Sequence, residues 1–512
     1  GEPVRAFQTK QGILPQKVGE SNVVKKLIAL YKAYRGGEWF HASLDSVSYH
    51  VDGIVVVSSD RAWDGRSQLP NNCVKPFEAW RVRNPDVNIV EVRGDWSNQA
   101  EQYNAGLDAV REIFGDDTAV LVVDTDEIWP PGSLLQLAAA MRSETERTVF
   151  RAPIRTFVKS PLYQVWPIES ARHVVGLTEP FQVCQRGRFQ GVGRGRVVEG
   201  AVFDHFSYVR QDPGEIVEKF RNTSSQEDRP NDESWLEKTW PEIPCVSDFH
   251  MTPGEESAWK GIKILTPMSL GITWGMEWLH DVVERENADW CQRLQRTPTK
   301  DQLLPKNTWD IDLYAPELEP YFDDAPLDAL QRACKTSYLE LAWLAWWAFQ
   351  VPARGRICEI GCGFGSSATT MAVASCVGVR IDAIDAFEPY DEIAHRGLAK
   401  NCIDGSADRF WETLNAYKVA HNVRHIPKLS ADAVDDLDSD GYDMVFIDAN
   451  HSYEHVKHDM EIMWPRLKPG GVMCGHDYTT RFPGVIQAVN EFVTEPKVAA
   501  GTSLWYVYKE RS

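Results

Sequence analysis

Short apolar runs alternate with amphipathic stretches over most of the chain, the pattern of an α/β protein in which buried strands feed helices. Leu27–Tyr31 is an apolar run, and Trp39–Val47 carries helical spacing. Gly53–Val57 and Ala119–Val123 are rich in β-branched residues and read as buried strands. A second alternation starts near Pro326 and runs to the C-terminus. Between the two, Thr297–Asp324 is rich in proline and acid and shows no period, so it reads as a linker laid over a surface. The pattern predicts an N-terminal domain over 1–285, a linker over 286–325 and a C-terminal domain over 326–512. The polar stretch Asn222–Glu237 predicts a mobile loop inside the first domain.

Length agrees with this division, because 512 residues exceed the roughly 250–300 that one core usually serves. The 54 Lys and Arg against 74 Asp and Glu leave a net charge of −20, which repels phosphate backbones and anionic membrane surfaces. Nucleic acid is therefore not an expected partner, and no apolar run of about 18 residues predicts a membrane span. The N-terminal residues carry no signal-peptide pattern. The ten cysteines are scattered without a C-x-x-C pair, which disfavours zinc sites and disulfides and suits a cytoplasmic protein with reduced thiols. Nineteen Trp suit packed cores, and also the aromatic platforms that bind sugar rings.

The sharpest local signal is Arg356-Ile-Cys-Glu359-Ile-Gly361-Cys-Gly363-Phe-Gly365-Ser-Ser. A strand ends in an acid, and three glycines at alternate positions let the backbone turn tightly and approach a ligand before a helix begins. A second strand, Val379–Ile384, ends at Asp385, 20 residues after Gly365, where a carboxylate can take two ribose hydroxyls. No Gly-Lys-Ser/Thr follows, which excludes a P-loop. A third strand delivers Asp448 and His451, and a fourth, Val472–Gly475, ends in His476 and Asp477. If these strands are neighbours, the four groups converge, able to hold one divalent ion and leave an imidazole as base.

Residues 330–512 resemble class I small-molecule O-methyltransferases, which bind S-adenosylmethionine on a Rossmann-like α/β fold. Ile447-Asp448-Ala-Asn-His451 and Gly475-His476-Asp477-Tyr478 are similar to metal-dependent sugar O-methyltransferases. The resemblance implies that Glu359, Gly361, Gly363, Gly365 and Asp385 hold the methyl donor. It gives Asp448 and Asp477 to magnesium and makes His451 the base. The chain departs from the pattern at His476, where those enzymes often carry an acid, so His476 is a ligand or a second base.

In the N-terminal half, the strand Ala119–Val123 ends in Asp124-Thr-Asp126. Carboxylates there can hold Mn²⁺ or Mg²⁺ against a leaving diphosphate. The order of elements, with Gln102-Tyr-Asn104-Ala-Gly106 opening the preceding helix and Phe203-Asp204-His205-Phe-Ser-Tyr208 downstream, resembles GT-A glycosyltransferases of the family-2 kind. The resemblance implies a nucleotide-sugar donor held by Asp60 and Asp124, with Asp126 and His205 on the metal. The turn from Ser59 to Gly65 leaves open whether Asp60 or Asp64 faces the nucleobase. Glu169 and Glu179 are candidates for the base on a glycan acceptor. Together the halves predict a bifunctional enzyme that attaches a sugar and O-methylates a sugar hydroxyl. The alternative is a sugar O-methyltransferase with a non-catalytic GT-A-like glycan-binding module. The oligomeric state is not legible.

Overall fold

The computed structural model describes residues 25–61, 70–170, 173–180, 195–221, 232–246, 259–267, 277–296, 303, 330, 336–388, 406–438 and 441–511. In its N-terminal half the strands are β1 (Lys26–Ala33), β2 (Gly53–Ser58), β3 (Ile89–Arg93), β4 (Thr118–Asp124), β5 (Glu127–Ile128), β6 (Val149–Arg151), β7 (Ile154–Val158), β8 (Tyr163–Trp166), β9 (Val174–Leu177), β10 (Gly195–Val197), β11 (Phe203–Tyr208) and β12 (Gly261–Ile264). The helices there are α1 (Gly37–Ser48), α2 (Val74–Arg83), α3 (Gln99–Phe114), α4 (Pro131–Ser143), α5 (Gly214–Arg221) and α6 (Asp232–Lys238), followed by α7 (Glu277–Arg296).

The first sheet runs β10-β6-β9-β4-β1-β2-β3, with β4, β1, β2 and β3 parallel and β9 antiparallel to its neighbours. Strand residues alternate between two faces with period 2. Leu27, Ala29 and Tyr31 join Phe40 and Leu44 of α1 and Leu134 and Met141 of α4 in one core. Ile28 and Leu30 join Tyr103, Leu107 and Val110 of α3 in another. A second sheet, β12-β8-β7-β11-β5, is mixed and short-stranded and was not legible in the sequence.

The C-terminal half contains β13 (Arg356–Ile360), β14 (Arg380–Ile384), β15 (Val423–Ile426), β16 (Tyr442–Ile447), β17 (Leu467–Gly475), β18 (Lys497–Val498) and β19 (Trp505–Tyr508). Its helices are α8 (Tyr338–Gln350), α9 (Ser366–Ala374), α10 (Ser406–Ala416), α11 (Tyr453–Met463) and α12 (Pro483–Phe492). The sheet order is β15-β14-β13-β16-β17-β19-β18, parallel from β15 to β17 and antiparallel at β19. β17 begins before the expected strand start at Val472, and its pairing with β16 slips between Tyr442 and Met444.

The boundary expected at 285/286 falls inside α7, one continuous helix. Trp290 donates its Nε1–H to the Thr502 carbonyl at 2.9 Å, and Asn287 bridges Tyr506 and the Ala500 amide. Trp290, Cys291 and Leu294 share one hydrophobic core with Tyr163 and Ile262 of the second sheet and Trp347 and Trp505 of the C-terminal half. The polar surface of α7 hid this in the sequence, because a helix half-covered by another part of the chain still carries charge on its open side. Of the expected loop 222–237, residues 232–237 belong to α6 and 222–231 lie outside the described residues, as does 297–325 apart from Leu303. Trp290→Ala is expected to cost about 3–5 kcal/mol, the usual range for a buried Trp. Urea denaturation measures it, and a loss under about 1 kcal/mol would show that α7 does not carry the joint.

Candidate functional site

Four adjacent parallel strands end at one level. Ile360 of β13 is in register with Ile384 of β14 and Ile447 of β16, and Ile447 with Gly475 of β17. The next residue of each strand continues the ladder: Gly361 donates to Ile384, Asp448 to Ile360 and His476 to Ile447. Gly361, Asp385, Asp448 and His476 therefore stand side by side at the carboxyl edge, where open α/β sheets bind ligands. Gly361 has φ +87°, and an added Cβ would press into the Asp448 carbonyl, 2.6 Å from its carbon. Gly363 has open space where its Cβ would be, and Gly365 caps α9 in the left-handed region.

Glu359 is buried beneath this loop. Ser367 Oγ donates to one of its oxygens, and the other has no hydrogen-bond partner among the described residues. Burial pushes its carboxyl up to about 8 against the pull of the Ser367 bond, with the charges of Asp448 and Asp385 adding to the rise. Asp385 accepts from the Gly363 amide at 2.9 Å and from the Phe387 amide at 2.8 Å. An aromatic group missed in the sequence borders it: the rings of Phe387 and His425 lie 5.0 Å apart and those of Phe410 and His425 5.4 Å. Its members come from three separate segments. The one available signal was Phe387, two residues after Asp385.

The predicted convergence of the other groups occurs. His451 Nε2 lies 3.0 Å from Asp477 Oδ2 and 3.8 Å from Asp448 Oδ1. His476 Nδ1 lies 3.6 Å from Asp448 Oδ1 and 3.5 Å from Asp477 Oδ2. Asp448, His451 and Asp477 bring ligand atoms within 4.8 Å of one another. Burial opposes charge on His451, but the bonds and charges of Asp448 and Asp477 prevail and lift it to about 9. Burial alone would raise both carboxyls, and the two imidazoles hold them below the ordinary range instead. Hard oxygens with imidazole nitrogen form a donor set that fits Mg²⁺ or Mn²⁺.

The Asp-x-Asp end of β4 is built differently. Asp126 is buried, and its Oδ2 accepts from Arg210 Nη2 at 2.7 Å and Ser207 Oγ at 3.0 Å. Arg210 reaches Glu38 at 3.2 Å with its other nitrogen. Asp124 pairs with Lys32 at 3.1 Å and accepts from Tyr103 OH. His205 Nε2 comes to 3.9 Å from Asp126 Oδ1. Two cations of the chain itself thus already sit on these carboxylates, Arg210 on Asp126 Oδ2 and Lys32 on Asp124, while Asp126 Oδ1 faces His205. Among the described residues, the C-terminal cluster is the one group of three or more metal-capable side chains that converge.

Glu169 stays close to this strand end. It bridges Ile154 of β7, and Thr156, the register partner of His205, donates to its carboxylate. Glu179 does not. Leu177 of the antiparallel β9 pairs with Val120, so Glu179 lies toward the amino end of β4, roughly 13 Å or more down the strand from Asp124. Its near partner is Arg147, at 3.8 Å. Asp60 is exposed just beyond the carboxyl end of β2.

Residues 358–478 match the family described as methyltransferase domain, so the C-terminal half carries a methyltransferase domain. An uncharacterised protein of Sinorhizobium fredii is 25% identical over 154 residues, covering 28% of this chain and 16% of that protein. An uncharacterised protein of Acanthamoeba polyphaga mimivirus is 28% identical over 106 residues, covering 19% of this chain and 48% of that one. The chain thus spans less than half the length of either relative. Among solved structures, the O-methyltransferase TomG from Streptomyces achromogenes, in complex with SAM, is 17% identical with a TM-score of 0.30. That match covers 40% of this chain and 99% of that one. No helix among the described residues is long and apolar enough to cross a membrane.

Proposed function

We propose that this chain is an S-adenosylmethionine-dependent O-methyltransferase whose N-terminal half is a non-catalytic, GT-A-like module that presents a sugar hydroxyl. The observation that carries the reading is the Asp448–His451–Asp477 cluster one strand from the glycine loop of a methyltransferase domain.

In this reading Gly361, Gly363 and Gly365 admit the donor close to the backbone, and Asp385 exchanges the Gly363 amide for the ribose hydroxyls. The donor's methyl–sulfur bond breaks as a carbon–oxygen bond forms to the acceptor, and the acceptor proton goes to His451. Asp448 and Asp477 would hold a divalent ion, which supplies countercharge and Lewis acidity toward the hydroxyl. Asp448 and Asp477 are what hold the proton on His451, so with a cation on those carboxylates His451 would hold it less tightly and could serve as the base. In-line alignment of hydroxyl and sulfonium is the remaining requirement.

The N-terminal assignment is supported by Arg210 and Lys32, which already neutralise Asp126 and Asp124. One observation favours the second, bifunctional reading: both aspartates stand at the carboxyl end of β4, beside the parallel β1, with His205 3.9 Å from Asp126. Labelled S-adenosylmethionine with a panel of saccharides, analysed by mass spectrometry, tests both. Methyl incorporation should stop with EDTA and return with Mg²⁺ or Mn²⁺, and Asp126→Ala should leave its turnover within about twofold. Manganese-dependent consumption of a nucleotide-sugar, lost in Asp126→Ala, would instead establish glycosyl transfer.

A further inference from the structure

The cluster has a supporting carboxylate that no motif marks. Glu340, in the first turn of α8, is buried, and its two oxygens are shared among three segments. Oε2 accepts from the Ser337 amide at 2.9 Å and its hydroxyl at 2.8 Å. Oε1 accepts from the Ser503 amide at 3.0 Å and its hydroxyl at 2.9 Å. The carboxylate is thereby fixed from both sides before it meets any imidazole.

It faces one. His476 Nε2 lies 3.2 Å from Glu340 Oε2 as an ion pair, and among the described residues no aligned hydrogen bond reaches that buried nitrogen. The opposite ring atom, Nδ1, points the other way, 3.6 Å from Asp448 Oδ1 and 3.5 Å from Asp477 Oδ2. Donor atoms sharing one ion sit roughly 3–3.6 Å apart for bonds of about 2.1–2.5 Å, and both Nδ1–carboxylate distances fall in or at the edge of that range. A carboxylate beside Nε2 favours the N–H on that side, which turns the Nδ1 lone pair to the cluster. This is the carboxylate–imidazole arrangement that sets tautomer and ligand strength in metal sites. His451 has no such backing from Glu340. Its Nε2 contacts Asp477, and its ring rests against Phe482 at 4.4 Å.

We propose that His476 Nδ1 is the third protein ligand beside Asp448 and Asp477, and that Glu340 is the positioning residue that orients it. This rests on the cation site of the proposed function and divides the labour of the two histidines: His476 binds and His451 takes the acceptor proton.

Mn²⁺ alone, titrated into the full chain, tests the assignment without any turnover. Pulsed EPR of bound Mn²⁺ should show modulation from one imidazole nitrogen, retained in His451→Ala and lost in His476→Ala. Glu340→Gln should weaken Mn²⁺ binding by about 10–100-fold, the usual effect of removing such a partner. A purely structural role for Glu340 would lower stability and S-adenosylmethionine binding together, so the donor affinity should stay within about threefold of wild type. The proposal is overturned if the nitrogen signal survives His476→Ala, or if Glu340→Gln binds Mn²⁺ like wild type. Should Glu340→Gln fail to fold, the two histidine variants still decide it. If Asp448→Ala binds Mn²⁺ undiminished, the cation site itself is wrong and both readings fall.

Discussion

Replacing His451 by alanine should slow methyl transfer by about 10²–10⁴-fold while leaving S-adenosylmethionine and Mn²⁺ affinities near wild type. The size follows from the chemistry, since an aliphatic hydroxyl attacks a sulfonium poorly until its proton has somewhere to go. The selectivity follows from geometry. His451 Nε2 touches Asp477 at 3.0 Å and its backbone belongs to the segment after β16, not to the glycine loop. Its loss removes a proton acceptor and leaves the donor cradle and both carboxylates in place. Single-turnover rates with saturating donor and metal measure the effect directly. A rate within about fivefold of wild type would take the proton-transfer role away from His451.

How much of this was legible in the sequence depended on how local each feature is. Parallel strands flanked by helices showed through because a buried strand is a continuous apolar run, and β1, β2, β4 and β16 are such runs. The carboxyl-edge cluster was legible for the same reason, since Asp448 and Asp477 each close or follow a strand whose neighbours could be guessed. The second sheet was not legible. Its strands run from two to six residues, and β12 finds β8 across almost a hundred positions, so no local period announces the pairing.

The aspartates of β4 show what a local motif leaves out. Asp124-Thr-Asp126 looked like a metal motif because residue type and strand position agreed. Arg210, 84 positions later, cancels the charge of Asp126, and Lys32, 92 positions earlier, that of Asp124. Charge compensation of that kind is tertiary, and a motif read along the chain cannot see it. Glu340 was invisible for a related reason, because it reads as a helix-capping acid beside Ser337 and does that too. The linker from 286 was misplaced because α7 presents arginines and glutamates to one side while burying Trp290 and Leu294 on the other.

Gly361→Ala should abolish donor binding and destabilise the chain, whereas Gly363→Ala should do neither to a comparable degree. At Gly361 two costs coincide. The backbone sits at φ +87°, a conformation that costs a residue with a Cβ about 1–3 kcal/mol. The new methyl would also lie 2.6 Å from the Asp448 carbonyl carbon and 2.8 Å from Ala449 Cα, which are main-chain atoms that cannot rotate away. Relief requires pushing β13 and β16 apart at the level where the Asp448 amide bonds to Ile360 at 2.8 Å. The same movement shifts Asp448 in the cluster, so donor and Mn²⁺ affinities should fall together. Gly363 carries a smaller penalty, since φ +46° lies near the left-handed region that alanine can enter and no atom stands within 4 Å of the added carbon. That open space is where the donor belongs in the proposed reading, so Gly363→Arg should block binding while thermal unfolding stays close to that of Gly363→Ala. Calorimetric titration with S-adenosylmethionine beside thermal denaturation separates the three variants. Donor binding by Gly361→Ala within about tenfold of wild type would mean that the close approach of β13 to β16 is not what shapes the site.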